Sequence, residues 1–129
     1  HGHERPITHL KYSPDGDVFF SASKDSTPTM WRAKDGERLG VFYGHNGSVF
    51  QLDTTRTLLF LLTSSGDTKY LISAATDSTS NIWEVNTGKL VHTINFDCPV
   101  RAVAVSEGDK YVCICSTPFS KQPVGYRFL

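Results

Sequence analysis

Excess charge of either sign is missing from this sequence. Its 129 residues carry 13 Lys and Arg against 13 Asp and Glu, a formal net charge of zero. That balance removes the electrostatic argument for direct nucleic-acid or anionic-membrane binding by the chain. Cysteine is scarce as well: Cys98, Cys113 and Cys115 are odd in number, form no CxxC and match no zinc spacing. The expected state is reduced thiol in a cytoplasmic protein, with Cys113 and Cys115 sharing one buried strand face. No run of about 20 apolar residues exists to cross a membrane as a helix, and no secretory or transit segment is recognisable. Helical periodicity is absent along the whole length. So are a P-loop, a Rossmann glycine pattern, an EF-hand, an HExxH and a G-x-S-x-G elbow. No cofactor and no metal is therefore expected. The H-x-H of His1 and His3, with His9 nearby, does not by itself make a metal site.

What is present is a repeat. Gly2-His3 recurs as Gly44-His45, 42 residues on, while Asp25, Trp31 and Gly36 recur as Asp77, Trp83 and Gly88, 52 residues on. Ten extra residues therefore lie between Val49 and Asp77. Between the repeated positions run short β-branched and aromatic stretches separated by turn chemistry, which predicts four strands per unit. In the first unit these are Ile7 to Tyr12, Val18 to Ala22, Thr29 to Arg32 and Arg38 to Tyr43. The second unit has Ser48 to Asp53, Tyr70 to Ala74, Ser80 to Val85 and Lys89 to Asn95. A third, weaker unit has Val100 to Val105, Lys110 to Ser116 and Val124 to Phe128, without Gly-His, Asp turn or Trp. Asn46-Gly47-Ser48 reads as a turn rather than a glycosylation acceptor.

Each full unit contributes one imidazole, one hydroxyl, one carboxylate and one indole: His3, Ser21, Asp25 and Trp31, then His45, Ser73, Asp77 and Trp83. A buried imidazole needs a partner for each ring nitrogen, and a buried indole N–H needs an acceptor. The set closes on itself if the Trp N–H meets the Ser hydroxyl, the Ser meets the His, and the His meets the Asp. Ser, His and Asp are also the parts of a nucleophilic triad. A hydrolase, however, needs one exposed nucleophile beside an oxyanion hole, and two sets in register at a repeat period indicate a structural device. No catalytic residue is assigned.

The extra segment, residues 55–67, reads "TRTLLFLLTSSGD" and includes Leu58, Leu59, Phe60, Leu61 and Leu62. An exposed apolar patch marks interaction surface, so docking of another subunit is one expectation. Packing of an extended hairpin on its own unit is the other.

Gly-His recurring at about 42 residues, each time followed by a Trp, is the pattern of WD40 repeats, and the chain resembles the WD40-repeat β-propellers. The resemblance implies an all-β fold of four-stranded antiparallel blades: a first blade over 2–43, a second over 44–95 carrying the insertion, and a degenerate third over 96–129. "GHERPITHLKYSPDGDVFFSASKD", "DGERLG" before the second Gly-His, "CPVRAVAV" opening the third unit and "KQPVGYRF" near its end resemble the subunit i family of eukaryotic translation initiation factor 3. Arg32 and Glu84 stand after the tryptophans where the repeat usually has Asp. The family forms a seven-bladed ring, which needs about 300 residues, so this chain is expected to be about three blades of a longer protein. His1 in place of Met points the same way.

The resemblance also implies a non-catalytic scaffold in the initiation-factor complex. Its implied partners are subunits b and g, with the small ribosomal subunit reached indirectly. The alternative is another WD40 adaptor, in signalling or ubiquitin ligation. Lys11, Arg32, Lys34 and Arg38 are the candidates for any local basic patch.

Overall fold

The computed structural model describes residues 2–13, 16–55, 70–106, 111–116 and 124–127. Those residues form eleven strands and no helix: β1 (Ile7–Tyr12), β2 (Val18–Ser23), β3 (Thr29–Arg32), β4 (Arg38–Val41), β5 (Val49–Thr54), β6 (Tyr70–Ala75), β7 (Thr79–Glu84), β8 (Leu90–Asn95), β9 (Val100–Val105), β10 (Tyr111–Ser116) and β11 (Val124–Arg127). They make three antiparallel sheets in chain order, β1-β2-β3-β4, β5-β6-β7-β8 and β9-β10-β11. Boundaries differ from the sequence reading by one or two residues. β4 stops at Val41 rather than Tyr43 because the chain there leaves the ladder for the loop that carries His45, with the Phe42 N–H still held by the Pro28 carbonyl at 2.8 Å.

The β2–β3 and β6–β7 turns follow from Asp-Ser-Thr. The Asp25 carboxylate accepts the Thr27 N–H and the Asp77 carboxylate accepts the Thr79 N–H, each at 3.1 Å. This side-chain turn holds Ser26 and Ser78 at φ of 70° and 66°, a region that costs a non-glycine residue energy unless its neighbours fix it.

Strand alternation divides the core into two layers. From β6, Leu71 and Ala75 join Phe20, Ala22, Phe42, Val49, Leu52, Trp83 and Val85 between the first and second sheets. Ile72 and Ala74, on the other face of β6, join Ile82, Val100, Val103, Val112 and Ile114 between the second and third. The middle sheet is thus covered on both faces, and β6 is apolar at almost every position for that reason.

The expectation of buried thiols at Cys113 and Cys115 is overturned. Val112 and Ile114 take the core positions of β10, at 1% and 0% exposure, so alternation turns Cys113 into solvent and leaves Cys115 half-buried. β-branched residues, bulkier and more apolar than cysteine, fill the layer against β6. The β5–β6 ladder closes at Thr55, whose N–H reaches the Tyr70 carbonyl at 3.0 Å while its hydroxyl accepts the Tyr70 N–H at 2.8 Å. Leu58, Leu59, Phe60, Leu61 and Leu62 lie outside the described residues.

Candidate functional site

Both quartets assemble at the same end of their sheets, where the loop before the first strand meets the Asp turn. In the first, His3 Nδ1 lies 2.7 Å from Asp25 Oδ2 and His3 Nε2 lies 2.5 Å from Ser21 Oγ. Trp31 Nε1 donates to the same hydroxyl at 2.7 Å. The serine accepts from the indole and spends its one hydrogen on Nε2, so Nδ1 carries the imidazole proton and donates it to Asp25. The Glu4 N–H also donates to Asp25 Oδ2, at 3.1 Å.

In the second quartet, His45 Nδ1 lies 2.8 Å from Asp77 Oδ2, and His45 Nε2 lies 2.5 Å from Ser73 Oγ. The Asn46 N–H donates to Asp77 Oδ2 at 2.9 Å, and the Thr79 hydroxyl donates to Asp77 Oδ1 at 2.7 Å. One contact departs from the expected chain. Trp83 Nε1 donates not to Ser73 but to the Tyr43 carbonyl, at 3.0 Å. Ser73 Oγ takes the Asn81 N–H instead, at 3.3 Å. The main-chain oxygen of the loop passing over the indole is the acceptor, and the serine turns to its cross-strand neighbour.

Burial sets the electrostatics. It pushes His45 below its ordinary 6.5 against the opposing pull of Asp77, so the ring is neutral. For Asp77, burial raises the carboxyl, but the Thr79 hydroxyl, the Asn46 N–H and His45 together hold it below 3.8. Asp25 behaves alike: burial raises it, and the Thr27 N–H, His3 and the Glu4 N–H outweigh burial. The hydroxyls of the two sets belong to buried residues, Ser21 at 1% and Ser73 at 0% exposure. His45 stacks edge-on against Trp83 with ring centroids 5.5 Å apart.

The glycine before the histidine has a steric cause. Gly44 sits at φ +148°, and a Cβ there would meet Asn81 Nδ2 at 3.1 Å and Leu90 Cδ2 at 3.3 Å. Five partners are not evident from sequence: the Glu4 and Asn46 N–H groups, the Tyr43 carbonyl, Asn81 and the Thr79 hydroxyl. Only Thr79 had left a readable trace, since Asp-Ser-Thr occurs at both turns.

The remaining candidates disperse. His9 lies near Lys11 and Asp53 and is lowered by burial and by Lys11. Among the described residues no group of three His, Cys, Asp or Glu is placed to hold a metal ion. His1 lies outside them. The basic patch is neutralised at two points: Lys11 pairs with Asp53 at 3.4 Å, and Arg32 pairs with Asp35 at 3.1 Å and with Glu37. Lys34 and Arg38 are exposed.

The family model described as "WD domain, G-beta repeat" matches residues 1–32 and 36–84, well over half of the chain. The chain belongs to the WD40-repeat family. Its four-stranded antiparallel sheets are those of WD40 blades in a partial propeller, and both quartets fall in the matched residues.

Relatives named "Eukaryotic translation initiation factor 3 subunit I" are similar over most of the chain. The Candida glabrata protein is 36% identical over 122 residues, covering 95% of this chain and 32% of the relative. The Neurospora crassa protein is 40% identical over 106 residues, covering 82% and 28%. The Caenorhabditis elegans protein is 33% identical over 120 residues, covering 93% and 34%. This WD40 chain spans about a third of the length of these relatives.

Proposed function

We propose that the chain is a stretch of blades from a non-catalytic scaffold subunit of eukaryotic translation initiation factor 3, working through protein–protein contacts in the cytoplasm during translation initiation. The single observation that carries this reading is the similarity to relatives of that name over up to 95% of the chain. The blades are assigned to 2–43, 44–95 and 96–129. By family resemblance the partners are subunits b and g, with the small ribosomal subunit contacted indirectly. The three relatives described above do not favour the alternative of an adaptor in signalling or ubiquitin ligation.

In this reading the two quartets are staples. Each ties the loop entering a blade to the turn between its second and third strands, so that the blade presents its loops and edges in a fixed shape. A Ser-His-Asp set becomes an acyl-transfer site only if its nucleophile can be reached and an oxyanion can be received. Ser73 is instead fully buried, its hydroxyl engaged by His45 on one side and by the Asn81 N–H on the other.

Affinity purification of the chain from eukaryotic extract, followed by mass spectrometry, tests the assignment. Recovery of initiation factor 3 subunits is expected, and recovery without any of them overturns it. Treatment with a fluorophosphonate probe tests the non-catalytic part; labelling at Ser21 or Ser73 would reverse it.

A further inference from the structure

β1, β5 and β9 each form an edge of their own sheet. An edge strand carries alternate N–H and C=O groups with no ladder partner, which invite water or a foreign strand. In β9 the N–H groups of Val103 and Val105 point away from β10. Both are taken by side chains of β5: Gln51 Oε1 accepts Val103 N–H at 3.1 Å, and Asp53 Oδ2 accepts Val105 N–H at 2.8 Å. Gln51 and Asp53 are two residues apart on one strand face, matching the spacing of the two amides. The same device appears one sheet earlier, where the Thr8 hydroxyl of β1 donates to the Val49 carbonyl of β5 at 2.5 Å.

Asp53 does more than Gln51. Its second oxygen, Oδ1, faces Lys11 Nζ of β1 at 3.4 Å and accepts the Thr54 N–H at 2.8 Å. One carboxylate on the middle sheet therefore touches the inner strand on either side. The Lys11 side chain is 44% exposed, so that ion pair is screened and weak. The Val105 bond is charge-assisted and faces a side chain only 15% exposed, so it is the stronger arm.

We infer that Gln51 and Asp53 seal the free edge of β9, and that Asp53 is the residue through which all three sheets are coupled at their inner strands. The inference is independent of which complex the protein joins. It gives Gln51 and Asp53, which take no part in either quartet, a positioning role: they fix where the third blade stands relative to the second.

Residue-resolved hydrogen exchange by nuclear magnetic resonance on the chain and on D53A, D53N and Q51A tests this. In D53A the Val105 amide should exchange faster by about tenfold, while Leu71 and Ser73 in β6 keep their protection. D53N retains an acceptor oxygen and should restore most of the Val105 protection. Q51A should expose Val103 and leave Val105 protected. Unchanged Val105 exchange in D53A, or D53N as fast as D53A, overturns the inference. Should D53A fail to fold, Q51A and D53N still decide it: unchanged Val103 exchange in Q51A, or lost Val105 protection in a folded D53N, has the same force.

Discussion

Replacing Trp83 with alanine separates a buried staple from a merely packed aromatic. The indole is fully buried, lies 5.8 Å from Phe42 and 5.5 Å from His45 between ring centroids, and donates to the Tyr43 carbonyl. A tryptophan buries about 150–250 Å². At about 25 cal/mol per Å² this gives roughly 4–6 kcal/mol, an upper figure because the unfolded chain already hides part of that surface. Measured truncations of buried Trp cost about 3–5 kcal/mol, so about 4 kcal/mol is expected. Trp31 is only half-buried, and the same substitution there should cost about half as much. With a urea slope of about 2 kcal/mol per M, W83A should lower the unfolding midpoint by about 2 M and W31A by about 1 M. The chain has two tryptophans, so each variant keeps one indole as its fluorescence reporter, with far-UV circular dichroism as the second probe. Trp83→Phe keeps most of the ring and removes the donor to Tyr43, and should cost about 1–2 kcal/mol. A loss below about 1 kcal/mol for W83A, or one no larger than for W31A, would refute the reasoning.

Ser73→Ala takes away the donor to His45 Nε2 and the acceptor for the Asn81 N–H, and thermal melts should show a loss of about 1–3 kcal/mol. Acidification should unfold the chain in two steps. The folded pKa of His45 lies below 6.5, so above 6.5 its contribution is complete, and it is lost as pH falls from 6.5 toward the folded value, because only the unfolded ring binds the proton there. His9, shifted the same way, adds to this window. Asp77 and Asp25 lie below 3.8, so their contribution persists above 3.8 and disappears as pH falls through their folded values. Melting temperatures measured from pH 7.5 downward check both steps, and His45→Asn should flatten the upper one. Gly47→Ala would place a Cβ 2.4 Å from Thr76 Oγ1 and 2.9 Å from Asp77 N, so its melt should fall by about 1–3 kcal/mol despite an ordinary backbone φ.

Much of the fold could be read because strand and turn chemistry is local. Val-Phe-Phe, Tyr-Leu-Ile-Ser and Val-Arg-Ala-Val name strands by composition, and Asp-Gly and Asn-Thr-Gly name the turns between them. What local chemistry does not carry is which face of a strand meets a neighbour. The general tendency of free cysteine to be buried points Cys113 and Cys115 inward. The decision belonged to Val112 and Ile114, which met Ile72 and Ala74 across the second layer. The Gln51 and Asp53 contacts were illegible for a related reason. Both residues look like the polar half of an alternating strand until β9, about fifty residues later, is set beside them.

The two quartets show how far a repeat can be trusted as physics. Ten extra residues separate histidine from serine in the second, yet the spacing from serine to aspartate to tryptophan is kept and the His–Ser and His–Asp distances agree to about 0.1 Å. The indole does not recur, because its acceptor is decided by the loop that passes over it. In the second sheet that loop runs from β4, and its Tyr43 carbonyl reaches the ring, leaving Ser73 free to hold Asn81. The equivalent position before Gly2 and His3 is His1, outside the described residues, and Trp31 keeps the serine. Side chains one unit supplies to itself repeat faithfully, whereas those completed by the preceding unit vary with it. The first quartet thus carries its indole bond within one blade, while the second spends its own on joining two blades. Loss of Trp83 should therefore loosen the first sheet from the second, an effect that loss of Trp31 has no bond to produce.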